Sequence, residues 1–195
     1  MPAAKTDTRQ VMLDAARRLV VQKGYMAVGL NEILAEAGVP KGSFYHWFDS
    51  KDAFGRAMMQ SYFDDHLGTI DGIVADRDQS AAEHLVRYWR KFYETQVVDN
   101  CQGRCLVVKL GAEVSDLSES MRKVLEVGTI GIVDRIEQMI VRGLADGTVS
   151  VEASPRDTAE ALYEAWLGAS VLAKIHRSPD YLDRVMAATR RTLHV

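Results

Sequence analysis

From Thr8 to Gly24 the apolar side chains recur at helical spacing. Val11, Ala15, Leu19 and Val20 share one face, and Arg17, Arg18 and Lys23 lie largely outside it. Gly24 stops this helix. Leu30, Ile33, Leu34 and Ala37 form a second, shorter stripe closed by Gly38. Pro40 then opens a third helix through Phe48, whose aromatics stand three and four apart, and Asp49-Ser50 breaks it. Ser50 caps a fourth helix from Lys51 to about Ile73. The first 50 residues therefore hold three short helices, the last two joined by a tight Gly-containing turn. That pattern predicts a helix-turn-helix.

Helical periodicity continues to the end of the chain. One helix is expected over Ser80 to Val98, with Leu85, Tyr88, Trp89 and Phe92 as its stripe, and residues 97–103 read as a break. Another starts near Cys105 and runs to about Val114. Ser118 caps a long one to Asp146, and Asp146-Gly147-Thr148 forms a turn. Pro155 opens a helix to about His176, and Pro179 opens the last, ending near Leu193. No alternation is long enough for a sheet. The expectation is an all-α fold of about nine helices, with a helix-turn-helix domain over 1–50 and a helical domain over 51–195.

Hydrophobic residues make up 47% of the 195-residue chain and charged residues 26%, which excludes a disordered or fibrous protein. The net charge of −3 excludes a globally basic nucleic-acid binder. Residues 1–60 nevertheless carry 8 Lys+Arg against 6 Asp+Glu, so a few placed phosphate contacts are expected there in place of a broad basic field. Two cysteines are too few for a secreted disulfide scaffold. The start MPAAKTDTRQ has no apolar leader core, and no stretch is long enough to span a bilayer. A soluble cytoplasmic protein is expected.

A helix entering the major groove needs small residues where backbones approach and polar side chains at its start. Lys41, Gly42 and Ser43 supply these; Tyr45, His46 and Lys51 can donate to phosphate oxygens. The competing reading is a solvated helix start. Phe44, Trp47 and Phe48 read as the plug that holds the three helices together. The stretch GLNEILAEAGVPKGSFYHWFDSKDAF resembles the DNA-binding signature of the tetracycline-repressor (TetR) family, in register from residue 9 to about 60. The resemblance implies a homodimer whose paired heads read a palindromic double-stranded DNA operator, with Asn31 added to the DNA-binding set. It also implies a C-terminal domain that binds a small ligand and dimerises. Gly29 departs from the pattern, because many members carry a capping hydroxyl there.

Ala161, Ala165, Ala169 and Ala173 stand at four-residue spacing, and Leu182, Val185, Met186, Thr189 and Leu193 line one face of the last helix. In a monomer these stripes would be core. With the resemblance they read as the dimer interface.

Cys105 sits at a helix start beside Arg104, with Lys109 one turn on. The helix terminus and the cations favour thiolate, the form that attacks electrophiles and oxidants. The alternative is a cysteine that merely packs. GRCLVVKLGAEVSDLSESMRKVLEVG and LYEAWLGASVLAKIHRSPD are similar to a TetR subgroup that contains the N-ethylmaleimide-reductase repressor and electrophile- or acrylate-responsive regulators. That resemblance implies that Cys105 is the reactive thiol and Lys174 a cation near it. Cys101 could resolve an oxidised Cys105, although residues four apart in a regular helix are poorly placed for a disulfide.

No histidine lies near the cysteines, so neither a metal site nor a cofactor is expected. An enzyme is the alternative from another class, but the chain has no phosphate-cradling loop and no nucleophile elbow. A reversible regulator is the other, with a planar or acyl ligand among Tyr88, Trp89, Phe92, Tyr163 and Trp166.

Overall fold

The computed structural model describes residues 7–195; the first six, on which the reading of the N-terminus and the start of the 1–50 domain fall, lie outside the described residues. Among the described residues there are nine helices and no strand: α1 (Thr8–Lys23), α2 (Leu30–Ala37), α3 (Lys41–Trp47), α4 (Lys51–Val74), α5 (Ala81–Cys101), α6 (Leu106–Leu117), α7 (Glu119–Ala145), α8 (Pro155–His176) and α9 (Asp180–Leu193). The chain divides into two compact units. One comprises the residues up to Asp64 with Lys109–Glu126, the other Asp65–Val108 with Val127–Val195. The first unit thus reaches past residue 50 and takes in a distant segment.

In the first unit, Asp7 caps α1 by accepting the Arg9 N–H at 3.0 Å. Gly38, at φ 66°, ends α2, and the Val39 N–H donates to the Leu34 carbonyl at 3.1 Å. This glycine conformation lets the chain reverse within three residues into α3. Gly29 caps α2 with no side-chain bond, as its missing hydroxyl requires. The plug consists of Phe44, Phe48 and Phe54, with ring centroids 4.8–5.5 Å apart. Phe54 belongs to α4, which is why the unit extends beyond residue 50. Trp47, expected in the plug, is 46% exposed. On a helix it lies about 60° from Phe44 on the side away from Phe48, so it leaves the buried stripe.

In the second unit, α5 packs against α8 and α9. Trp89 and Trp166 stack at 5.0 Å with planes 7° apart, and Phe92 meets Trp166 edge-on at 5.6 Å. The Trp166 Nε1–H donates to Thr189 Oγ1 at 2.9 Å, and the Thr189 hydroxyl donates to the Val185 carbonyl at 2.8 Å.

These contacts take part of the expected dimer face into the protomer's own core. Ala173, Leu182, Val185 and Thr189 are buried within the protomer, and Ala169 and Met186 are half-buried. Ala161 and Ala165 are exposed. Four residues turn a helix by about 400°, so a stripe at that spacing drifts by about 120° over three steps. It therefore starts on the surface at Ala161 and ends in the core at Ala173. The exposed apolar face of α8 instead continues through Val171, Leu172 and Ile175.

The expected break falls within the last residues of α5 and is a left-handed turn. Val98 is extended, Asp99, Asn100 and Cys101 have φ of 51°, 57° and 60°, and the Gln102 N–H closes the turn on the Val98 carbonyl at 3.0 Å. Asp and Asn tolerate this region better than other side chains. The intervening turn is not regular helix, so the spacing argument against a disulfide does not apply to it. Both cysteines are nonetheless thiols here.

Candidate nucleic-acid interface and thiol site

Because Phe44 and Phe48 face inward, α3 presents its other side outward. Lys41, Gly42, Tyr45 and His46 are exposed there, Ser43 is half-buried, and Asn31 is exposed on α2. Trp47 joins this surface, its ring edge-on to His46 at 5.0 Å. A Cβ on Gly42 would meet no atom within 4 Å. Nothing inside the unit requires a glycine there, so its smallness is available to an external partner.

Lys51, expected as a phosphate contact, begins α4. It is half-buried, with Nζ 5.1 Å from the centre of the Tyr25 ring, while Tyr25 Oη donates to the Lys51 carbonyl at 2.6 Å. Burial, and then the charge of Asp52, push the Tyr25 phenol up to about 12, so it stays a donor. Gly55 makes room for this phenol: a Cβ there would lie 2.3 Å from Tyr25 Oη.

The segment 109–126 fastens this reading head at two points. Glu113 accepts the backbone N–H of Tyr25 at 3.2 Å and of Met26 at 2.7 Å. Asp52, in the first turn of α4, accepts from the Ser118 hydroxyl and from the Ser120 hydroxyl at 2.7 Å. Those two hydrogen bonds hold the Asp52 carboxyl below its ordinary range. No spacing in the sequence announces either clamp.

The thiol site lies in the second unit. Cys101 and Cys105 are buried, Cys105 at 6% exposure one residue before α6. The Arg104 N–H donates to the Thr95 carbonyl at 3.1 Å, which lays this segment along α5. The Arg104 guanidinium pairs with Asp99 at 3.8 Å, both exposed, so the pair adds little. Lys174 occupies the last turn of α8 and is half-buried.

Two phenols feel the sulfur. Tyr88 and Tyr163 are both held above the ordinary tyrosine range, first by burial and next by charge on Cys105. Tyr88 Oη and Trp89 Nε1 are buried and find no hydrogen-bond partner among the described residues. His66, whose ring is 6.3 Å from Tyr88, is lowered to about 4 by burial and then by the charge of Lys91. No group of side chains among the described residues is arranged to hold a metal ion, and no helix there is long and apolar enough to cross a membrane.

Sequence comparison adds to this geometry. Residues 12–58 match the family described as bacterial regulatory proteins, tetR family. Residues 81–189 match the tetracyclin repressor-like C-terminal domain. The chain is 33% identical over 187 residues to the HTH-type transcriptional repressor NemR of Escherichia coli (strain K12), covering 96% of this chain and 94% of that protein. It is 31% identical over 190 residues to the HTH-type transcriptional repressor DhaR of Mycobacterium sp. (strain GP1), covering 97% and 94%. Among solved structures, the reduced form of E. coli NemR superimposes with a TM-score of 0.90 at 34% identity, over 96% of this chain and 97% of that one.

Proposed function

Because the chain belongs to the tetR family of bacterial regulatory proteins, and is therefore a DNA-binding transcriptional regulator and not an enzyme, we propose that it represses transcription as a homodimer and is released from DNA when Cys105 reacts with an electrophile or oxidant. Two copies present α3 to successive major grooves of a palindromic operator, with half-sites about 34–36 Å apart. Lys41, Gly42, Ser43, Tyr45 and His46 of α3, with Asn31 of α2, form the DNA-facing set. The exposed face of α8 around Ala161, Ala165 and Leu172 supplies the dimer contact. With DNA as its target, the protein works in the cytoplasm.

The observation that carries the sensing reading is the position of Cys105, one residue before the helix on which Glu113 holds the backbone of Tyr25 and Met26. A group added to a buried sulfur cannot be accommodated without shifting the start of α6, since a packed interior does not deform continuously. A shift of α6 moves the Glu113 carboxylate away from the two N–H groups. The reading head is then freed from one fixed orientation, and the spacing between paired heads is lost. Lys174 is the cationic partner in this reading, and Cys101 a second thiol available to an oxidised Cys105.

The test is operator binding by the wild type and Cys105→Ser, on the intergenic DNA beside the protein's own gene, with and without an α,β-unsaturated aldehyde. Intact mass is read in parallel. Release of the wild type as a single adduct mass appears, with the serine variant remaining bound, is the expected result. Equal release of both proteins overturns the covalent reading in favour of a reversible ligand among the aromatic side chains.

A further inference from the structure

Asp71 and Val74 of α4, Arg77 just beyond it, and Arg135, Met139 and Arg142 of α7 are among the side chains that line a cleft of about 460 Å³ in the second unit. That volume is in the range of small-molecule sites. None of these residues belongs to the DNA-facing set or to the thiol segment. Three guanidiniums stand here against one carboxylate, so the walls carry an excess of two positive charges.

Arg135 is the fixed member. Its Nε and Nη2 donate to the Asp71 carboxylate at 2.7 and 2.9 Å, and its Nη1 donates to the Gly131 carbonyl at 3.1 Å. A guanidinium has five N–H groups, so one on each terminal nitrogen stays available. Arg77 and Arg142 are exposed, and among the described residues neither guanidinium meets a hydrogen-bond acceptor or a carboxylate. Of the carboxylates near them in sequence, Asp76 pairs with Arg87 at 3.1 Å, and Asp146 accepts the N–H and the hydroxyl of Thr148. An arginine near a helix C-terminus balances the negative end of the helix dipole, and that alone would account for Arg142 in the last turn of α7. It does not account for two unpaired arginines from different segments on one cleft, nor for the apolar side chains that share it. Met139 is buried and Val74 half-buried, so the cleft has apolar as well as cationic walls.

We propose that this cleft binds a small organic phosphate monoester, with the phosphate on Arg77 and Arg142 and the apolar body against Val74 and Met139. Two unpaired guanidiniums match two negative charges. A phosphate monoester carries about −1.5 to −2 at pH 7, whereas a carboxylate carries a single charge. Its three terminal oxygens accept charge-assisted bonds from guanidinium forks, including the N–H groups that Arg135 has left. Arg135 itself stays on Asp71 and forms part of the wall. The site is independent of the reading of Cys105 as a sensor and stands or falls without it.

The test is calorimetric titration of the full-length protein with phenyl phosphate and with inorganic phosphate, at constant ionic strength because exposed charges are screened by salt. The wild type is expected to bind phenyl phosphate saturably, with a Kd below about 1 mM. Inorganic phosphate should bind about tenfold more weakly, for want of the apolar contact. Arg77→Gln and Arg142→Gln should each weaken phenyl phosphate by about tenfold, the size of one charge-assisted hydrogen bond. Neither guanidinium has a partner in the fold, so both variants fold. Arg191→Gln, which removes an exposed arginine of α9 outside the cleft, should leave the affinity unchanged. No saturable binding of phenyl phosphate by the wild type overturns the proposal, as does wild-type affinity in both cleft variants. So does equal weakening in Arg191→Gln, which would mean attraction to overall charge. Equal affinity for the two phosphates overturns it as well, because the apolar walls would then take no part.

Discussion

Glu113 holds Met26 by its backbone: the carboxylate accepts the Met26 N–H at 2.7 Å and, through its second oxygen, the Tyr25 N–H at 3.2 Å. These donors follow Gly24, where the chain leaves α1 at φ 86°. Glu113→Ala removes both acceptors; the exposed Met26 N–H returns to water, so the cost is about 1 kcal/mol. Glu113→Gln keeps one acceptor oxygen and loses less. We expect a graded fall in Tm, wild type above Gln above Ala, in thermal denaturation. Operator affinity in a DNA titration should fall in the same order, by about tenfold for Ala. Unchanged affinity in both variants would remove Glu113 from the path between sensor and reading head.

The reading head was legible in the sequence because its signals are local. Gly38 closes α2 and Pro40 enters α3 within three residues, and the aromatic spacing marks the plug. The Glu113 clamp was not legible, because its partners lie 87 and 88 residues away and a lone carboxylate on a helix carries no signature of what it meets. The drift of the alanine stripe follows from helix geometry, but which alanine begins on the surface depends on how α8 packs with α9. The turn at Asp99–Cys101 was readable as a break, while its hand emerges only from the dihedral angles. The orphaned donors of Tyr88 and Trp89 were invisible for a simpler reason: a missing partner leaves no mark on periodicity.

Thr189 and Ala165, both assigned to the dimer face by sequence pattern, now separate. Thr189→Val removes the acceptor of the buried Trp166 N–H and should cost about 1–3 kcal/mol, read as a lower Tm, while the molecular mass in solution stays that of a dimer. Ala165 is exposed on α8. Ala165→Arg places a long charged side chain in the proposed contact and should shift the mass measured by light scattering toward the monomer. A dimeric Ala165→Arg protein would move the interface elsewhere.

His66 links stability to pH. Its folded-state value is lowered to about 4, against 6.5 for the unfolded chain, so between those values the unfolded state binds the extra proton. Stability is therefore complete above about pH 6.5 and falls as pH drops toward 4, by on the order of 2 kcal/mol at pH 5. Asp52 acts in the same direction but lower, because its depressed carboxyl gives up stability only as pH falls below the usual carboxylate range. Denaturation midpoints from pH 7.5 to 5 should decline in the wild type and flatten in His66→Phe. A decline of equal slope in both would assign the proton uptake to another group.

The left-handed turn ahead of Cys105 separates two substitutions at one position. Asn100 holds φ 57° and ψ 54°, where a β-branched side chain meets its own backbone. Asn100→Val should cost about 1–2 kcal/mol. Asn100→Gly relieves the same strain but gives the unfolded chain more freedom, and the two effects should leave it within about 0.5 kcal/mol of wild type. Both substitutions are compared by chemical denaturation. If Gly were instead as destabilising as Val, the Asn100 side chain and not its backbone conformation would be what matters there. Because the turn sets where Arg104 meets the Thr95 carbonyl, the valine variant should also change the rate at which an enone adds to Cys105, while the glycine variant keeps the wild-type rate.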